Sequence, residues 1–88
     1  MKYNYPLYEL INRYCTWAKF DWCCLIYNPT GDTMSAYDFE ENKPRTMNYV
    51  IKCMIDNGML NECFTLEELT TLYVLVPKKF KKEIMYYL

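Results

Sequence analysis

The segment Asn28-Pro29-Thr30-Gly31-Asp32 constrains the fold of this chain more than any other. Proline suits the second position of a type I turn, and glycine suits the left-handed position that follows, as in a short hairpin loop. Of the flanking segments, 20–27 is rich in aromatic and branched residues, and 33–39 alternates weakly in polarity. We therefore predict a β-hairpin. The alternative is one helix over 7–27, in which apolar residues also keep helical spacing.

Segments on both sides of this region show the periodicity of amphipathic helices. Apolar residues over 6–19 recur at intervals of three and four, and Pro6 falls in the first turn, where its missing N–H costs nothing. A second helix is predicted to start at Pro44 and to end at Gly58, since glycine commonly follows a helix in the left-handed conformation.

The C-terminal third contains two further helix signals. Thr65 and Glu68 have the spacing of a capping box, in which each side chain bonds an amide at the helix start. Pro77 interrupts this helix and predicts a last helix after it. We therefore predict the α+β class for a small single domain, residues 1–88, with an N-terminal helix, a β-hairpin and then three helices. An all-α fold is the alternative.

The chain lacks the residues on which most catalysis depends. Histidine is absent, which removes the commonest general base at neutral pH and the commonest metal ligand. Ser35 is the only serine, and it lacks the G-x-S-x-G setting of a hydrolase nucleophile. We therefore predict no enzymatic activity and no cofactor.

The cysteines do not have the spacing of a metal site. Zinc ligands follow a C-x2–4-C pattern, which is absent among Cys15, Cys23, Cys24, Cys53 and Cys63. Neighbouring residues of a strand point to opposite faces, so Cys23 and Cys24 would not bind one ion. Because their number is odd and neither a secretory start nor a membrane-length apolar segment is recognised, we predict reduced core thiols in a cytoplasmic protein.

Charge is unevenly distributed, although the net charge is only −1. Acidic residues occupy the middle of the chain, and a tyrosine stands among them; the set is Asp32, Tyr37, Asp38, Glu40 and Glu41. We predict that these five residues contact a larger, basic protein, with the carboxylates steering the encounter and the ring as a buried anchor. That partner could be a protein that normally binds nucleic acid. A solvated acidic face is the alternative.

Aromatic residues make up 18% of the chain, and ten of them are tyrosines. A domain of this length buries only about 60–65% of its unfolded surface, so its core is thin. Some rings must therefore be partly exposed, and tyrosine is enriched at interface centres. An apolar contact patch or a homodimer is accordingly expected.

The C-terminal region resembles a helix-turn-helix in residues 65–69 and 78–88. That resemblance implies that the second helix would carry a basic surface for DNA, comprising Lys78, Lys79, Lys81 and Lys82. Thr70 stands where this motif usually has alanine, and Val74 stands where it usually has the turn glycine. Lysine also contacts mainly phosphate rather than base edges, so nucleic acid is the less favoured partner.

Two functions follow from these patterns. The first is a non-catalytic protein-binding module that uses the acidic and aromatic surface. A short chain of this composition, suggestive of an A/T-rich gene, looks like the small inhibitors that phages deploy against host machinery, including anti-CRISPR proteins; the likeness is of type and no motif supports it. The second function is a small helix-turn-helix DNA-binding regulator.

Overall fold

The computed structural model describes residues 5–26 and 35–88. Its elements, in chain order, are α1 (Tyr5–Trp17), β1 (Cys23–Ile26), β2 (Ser35–Asp38), β3 (Lys43–Thr46), α2 (Met47–Asn57), α3 (Leu60–Cys63), α4 (Leu66–Leu75), a 3-10 turn (Lys78–Phe80) and α5 (Lys81–Met85). The predicted α+β class is confirmed. The all-α alternative is wrong, because three strands form between α1 and α2.

Helix α1 ends because the backbone reverses at Lys19, which adopts a left-handed φ of 58°. The amide of Phe20 donates to the carbonyl of Cys15 and that of Lys19 to the carbonyl of Thr16, so the last turn is closed by a Schellman motif. This reversal excludes the single helix over 7–27. The chain is then free to enter β1, and the predicted hairpin is confirmed.

The three strands form an antiparallel sheet in the order β1-β2-β3. The turn predicted over 28–32 lies outside the described residues. Strand β3 was not predicted, and the prediction that Pro44 starts a helix is wrong, because Pro44 lies opposite Tyr37 in the sheet. Helix α2 starts instead at Met47, where the hydroxyl of Thr46 accepts a hydrogen bond from the amide of Tyr49.

The direction of the backbone groups in the sheet follows from one hydrogen bond, in which the amide of Phe39 donates to the carbonyl of Trp22 at 2.7 Å. Along an antiparallel strand, residues alternate: the backbone N–H and C=O of one residue bond to the partner strand, and those of the next residue point away from it. In this register, the backbone groups of Cys23 and Leu25 point away from β2 at one edge of the sheet. Those of Pro44 point away from β2 at the other edge.

The core lies between the inner side of the sheet and the helices, and Tyr14 is its largest fully buried side chain. The Tyr14 hydroxyl donates to the carbonyl of Gly58 and accepts from the Asn57 amide at 2.7 Å. Gly58 has a φ of 76° and caps α2 by donating to the carbonyls of Met54 and Ile55, as predicted. One buried hydroxyl thus joins α1 to the end of α2.

The C-terminal helices confirm one prediction and correct another. Both bonds of the capping box at the start of α4 are present, from the Glu68 amide to the Thr65 hydroxyl and from the Thr65 amide to the Glu68 carboxylate. The chain after Pro77 forms a 3-10 turn and then the five-residue helix α5, rather than one helix to the C-terminus.

Candidate functional site

The solvent side of the sheet presents apolar side chains from all three strands. The register places Cys24, Tyr37 and Pro44 side by side across the sheet. Ile26 extends the same side of β1, and Phe39 follows Tyr37 at the end of β2. We call these five residues the aromatic face. Cys24, Ile26, Phe39 and Pro44 are exposed and Tyr37 is half-buried, so no described element covers this side of the sheet.

Two rings form the centre of the aromatic face. The rings of Tyr37 and Phe39 meet edge to face with their centroids 5.7 Å apart. The Tyr37 hydroxyl donates to the side-chain oxygen of Asn42, which holds the left-handed position of the turn between β2 and β3. Phe39 leaves 58% of its surface exposed. The turn therefore orients one ring while the other remains available for contact.

Asp38 does not lie where the sequence predicted. It is only 3% exposed, and its carboxylate accepts from the amides of Glu40 and Glu41 at 2.9 and 3.0 Å. Its other oxygen forms an ion pair with Arg45 at 3.0 Å. The expectation that Asp38 would meet a partner from an exposed position is wrong, because its carboxylate is used to build the turn.

The ionisation of Asp38 fits this structural role. The hydrogen bond from the Glu41 amide lowers the pKa of the Asp38 carboxyl, with the Arg45 guanidinium acting in the same direction, while burial opposes them. The guanidinium carbon of Arg45 in turn lies 4.4 Å from the ring centroid of Tyr49, and Trp22 meets that ring edge to face at 6.0 Å. The inner side of the sheet is thus fixed by a charged and aromatic cluster.

Glu40 and Glu41 are the carboxylates that stay at the surface beside the aromatic face. Both are exposed, and neither forms an ion pair with any other residue in 5–26 or 35–88. Their backbone is held because both amides donate to Asp38. We call this pair the acidic turn. Asp32, predicted to join the same surface, lies outside the described residues.

Sequence reasoning identified Tyr37, Glu40 and Glu41 but missed the other side chains of the aromatic face. Phe39 and Ile26 alternate with inward-facing neighbours, which is the signal that could have found them once both strands were aligned. Pro44 gave a misleading signal, since proline is typical both of a helix start and of an edge strand.

The four lysines of the C-terminal region do not form one helical face. The Lys81 ammonium donates to the carbonyls of Tyr73 and Val74 at the end of α4 and lies 4.9 Å from the Tyr73 ring centroid. Lys79 lies over the ring of Phe80 in the 3-10 turn. Lys78 and Lys82 are exposed. Residues 78–85 therefore lack the long second helix of a helix-turn-helix, and Lys81 has a structural role.

Cys15, which is buried, and Cys23, which is half-buried, are poor nucleophiles in this structure. Burial raises the pKa of Cys15 to about 12 and that of Cys23 to about 11, and a thiol must ionise before it attacks or binds a metal. Within 5–26 and 35–88, no three Cys, Asp or Glu side chains are grouped so that they could hold a metal ion. Cys23 is half-buried and Cys24 exposed, as expected for opposite faces of a strand.

A concave surface lies between α1 and α4, with a volume of about 680 Å³. Arg13 and Glu68 form an ion pair across it at 2.6 Å, and this bond is the main cause that lowers the pKa of Glu68 to about 2. The Arg13 guanidinium also lies over the Phe64 ring. The ion pair joins α1 to α4, so the charges of Arg13 and Glu68 have a structural role that requires no bound ligand.

Comparison with known proteins adds no relative to these observations. No family model, curated protein or solved structure matches the chain. In the part of the chain that the structure describes, none of the helices has the length and apolar character needed to cross a bilayer.

Proposed function

We propose that this chain is a non-catalytic protein-binding module, and that the aromatic face with the adjoining acidic turn is its contact surface. The observation that carries the proposal is a supported pair of rings, half-buried Tyr37 and exposed Phe39, beside the exposed carboxylates of Glu40 and Glu41. Interface centres combine large rings with a charged rim, because the rings are desolvated on binding and the charges guide the encounter.

The partner of this surface is a larger protein with a basic patch. Glu40 and Glu41 complement such a patch, while Asp38 and Arg45 neutralise each other and contribute little net field. An apolar pocket on the partner would receive Phe39, which has the larger exposed area of the two rings. A surface that normally holds nucleic acid would provide the basic residues that this arrangement needs.

The first experiment reverses the charge of the acidic turn. Affinity capture from the source cell after nuclease treatment identifies the retained protein, and association with the purified protein is then measured at several salt concentrations. Glu40→Lys with Glu41→Lys should slow association at least about tenfold at low salt. The matched control carries Glu9→Lys and Glu62→Lys, which change the net charge equally on α1 and α3. Equal association rates for the two double variants would contradict the proposal.

The second experiment removes the rings. Tyr37→Ala and Phe39→Ala should mainly speed dissociation, because each removes a contact that forms only in the docked complex. Phe39→Ala is the cleaner variant, since an exposed side chain contributes little to folding. Circular dichroism and thermal unfolding check that each variant keeps its fold. Dissociation at the parental rate from a folded Phe39→Ala variant would exclude the aromatic face.

Nucleic-acid binding would give a different result in the same capture. Retention would then be lost on nuclease treatment, and affinity for duplex DNA would fall with salt with a slope of about −0.9 per phosphate neutralised. Changing Lys78, Lys79 and Lys82 to Ser would abolish that binding. We expect no sequence-selective DNA complex at about 150 mM salt. Such a complex would replace this proposal with a DNA-binding regulator.

The more specific form of the proposal is a small inhibitor of the phage type, such as an anti-CRISPR protein. That form requires the captured protein to belong to host defence or nucleic-acid machinery, and it requires binding to reduce the activity of that protein. A titration of the partner's activity with the parent chain and with the Glu40→Lys, Glu41→Lys variant tests it.

A further inference from the structure

The two edges of the sheet differ in their capacity to pair with another strand. An edge strand exposes backbone N–H and C=O groups that a further strand can bond, and proteins commonly block such edges with proline, lysine or other charged residues. Strand β3 has the sequence Lys43-Pro44-Arg45-Thr46, whereas β1 has the sequence Cys23-Cys24-Leu25-Ile26. Only the β3 edge carries these blocking features.

The β3 edge is blocked at its centre. The backbone of Pro44 points away from β2, as the bonding pattern of the sheet requires, and proline has no N–H to offer there. Lys43, which precedes it, is exposed. An incoming strand would therefore meet a missing donor at Pro44 and the positive charge of Lys43.

Within residues 5–26 and 35–88, no strand pairs with the outer edge of β1. The backbone groups of Cys23 and Leu25 point away from β2. Among the described residues, the Cys23 amide alone of these has a partner, in a long 3.5 Å contact with the carbonyl of Phe20. A groove of about 460 Å³ runs beside β1 toward α1. No described element occupies that edge, because β1 is the outermost strand. The strand carries no charge, so it offers nothing that would repel an identical strand.

We propose that the chain forms a homodimer in which β1 pairs antiparallel with β1 of a second copy, giving a continuous six-stranded sheet with a two-fold axis at Cys24. This inference does not depend on the binding of a partner by the aromatic face. It concerns the backbone groups at the sheet edge, although the side chain of Cys24 also belongs to the aromatic face.

The position of the axis follows from which backbone groups of β1 point away from β2. Hydrogen-bonded pairs on this edge must use Cys23 and Leu25, because the groups of Cys24 and Ile26 are directed toward β2. If Cys23 lies opposite Leu25 of the second copy, the outward backbone groups of both β1 strands form hydrogen bonds in a single register. The same register keeps the inward-facing side chains of both copies on the inner side of the sheet and the solvent-facing ones on the solvent side. That register makes Cys24 face Cys24 of the second copy in a non-hydrogen-bonded pair.

The occupant is a second copy because the strand is complementary to itself. A two-fold axis makes one surface patch serve both subunits, and each Leu25 amide then donates to the Cys23 carbonyl opposite. A strongly charged partner strand would find no opposite charge along β1. The solvent sides of the two sheets continue into one another across the axis.

Charge placed at the axis gives the first test. Cys24→Lys and Cys24→Glu each bring like charges together only if two copies meet at this residue, and Cys24 is exposed, so each variant should fold. Sedimentation equilibrium under reducing conditions should show the parent at twice the chain mass of 10.7 kDa and each variant as a monomer. A one-to-one mixture of the two variants should recover the dimer.

Each contrary result overturns the proposal. A parent chain that is monomeric at about 100 μM shows that the edge does not self-associate at a concentration where even weak dimers form. Single variants that remain dimeric show that the dimer uses another surface. A mixture that stays monomeric places the axis away from residue 24.

Crosslinking of the parent chain gives an independent test that needs no folded charge variant. Non-hydrogen-bonded pairs have Cα atoms about 4.5 Å apart, within the range that a disulfide spans. With glutathione disulfide, the two Cys24 thiols should form one disulfide as two electrons and two protons pass to the oxidant, giving two reduced glutathiones. Cys24→Ser should lose the covalent species and keep the non-covalent dimer. A crosslink that persists in Cys24→Ser overturns the assigned register.

Discussion

At the scale of single residues, Asp38 is the side chain on which the turn between β2 and β3 depends. It accepts from two turn amides and pairs with Arg45, whose side chain is itself mostly buried. Asp38→Ala should therefore lower the melting temperature by about 5 °C or more, because it leaves the guanidinium unpaired as well as releasing the turn. Thermal unfolding followed by circular dichroism measures the change.

The neighbouring carboxylates provide the control for Asp38. Glu41→Ala removes an exposed side chain but keeps the backbone amide that Asp38 binds. Its melting temperature should stay within about 2 °C of the parent value. An equal loss in both variants would mean that negative charge in this turn, rather than the bonds of Asp38, stabilises the fold.

Glu68 gives a prediction for pH dependence at the same scale. Its pKa is lowered from 4.5 to about 2, first by the bond from Arg13 and then by the capping amide of Thr65. A carboxylate with a lowered pKa in the folded state stabilises the fold above its usual pKa and loses that effect as the pH falls. The contribution should therefore disappear between about pH 4.5 and pH 2.

Exposure limits the size of that effect. The full shift would correspond to about 3 kcal/mol, but the Arg13 side chain is 47% exposed, so about 1 kcal/mol is expected. Glu68→Gln keeps a capping-box side chain and removes the charge. Urea unfolding at pH 6 and pH 2 should show a smaller stability difference in this variant than in the parent. Identical differences would show that the ion pair contributes nothing.

At the scale of elements, the start of α4 depends on its cap. Thr65→Ala removes the acceptor for the Glu68 amide and should cost about 1 kcal/mol in unfolding free energy. Thr70 is the matched control, since its hydroxyl bonds the Leu66 carbonyl one turn back within the same helix. Thr70→Ala should be neutral or slightly stabilising, because alanine has the higher helix propensity. Urea unfolding compares both variants, and equal losses would argue against capping.

The elements also show where sequence reasoning works and where it stops. The starts of α1 and α4 were predictable because Pro6 and the Thr65 capping box act within one turn of helix. The end of α1 was not, because Lys19 takes the left-handed position that glycine usually marks. The pairing of β3 with β2 was also not predictable, because the sequence Lys-Pro-Arg-Thr has little β propensity as a whole. This strand forms because it pairs with β2.

The candidate site was predictable to the extent that its residues are close in sequence. Tyr37, Glu40 and Glu41 lie within five consecutive residues, so their closeness in space could be predicted from their closeness in sequence. The burial of Asp38 depends on its ion pair with Arg45, which lies seven residues later on the next strand. The sequence around Asp38 does not indicate this partner. Pro44 joins the aromatic face only through the register of β2 with β3.

At the scale of the whole molecule, Cys15 should report global unfolding. It is buried in the core and its pKa is raised to about 12, whereas Cys24 is exposed. Iodoacetamide at pH 8 should therefore modify Cys24 first, and Cys15 should react only at the rate at which the molecule unfolds. Mass spectrometry follows both residues, and denaturant should release five reactive thiols. Comparable rates for Cys15 and Cys24 in the native protein would contradict a closed core.

Because α1 packs against α4, the side of α1 that faces α4 stays uncovered until α4 has been synthesised. The ion pair between Arg13 and Glu68 closes a loop on the order of fifty residues. The hydrogen bond from the Tyr14 hydroxyl likewise cannot form until Gly58 has been synthesised. The sheet strands can pair earlier, since they are close in sequence. A nascent chain halted before α4 leaves the ribosome therefore presents the side of α1 that packs on α4 to chaperones and proteases, and emergence of α4 allows that side to be buried.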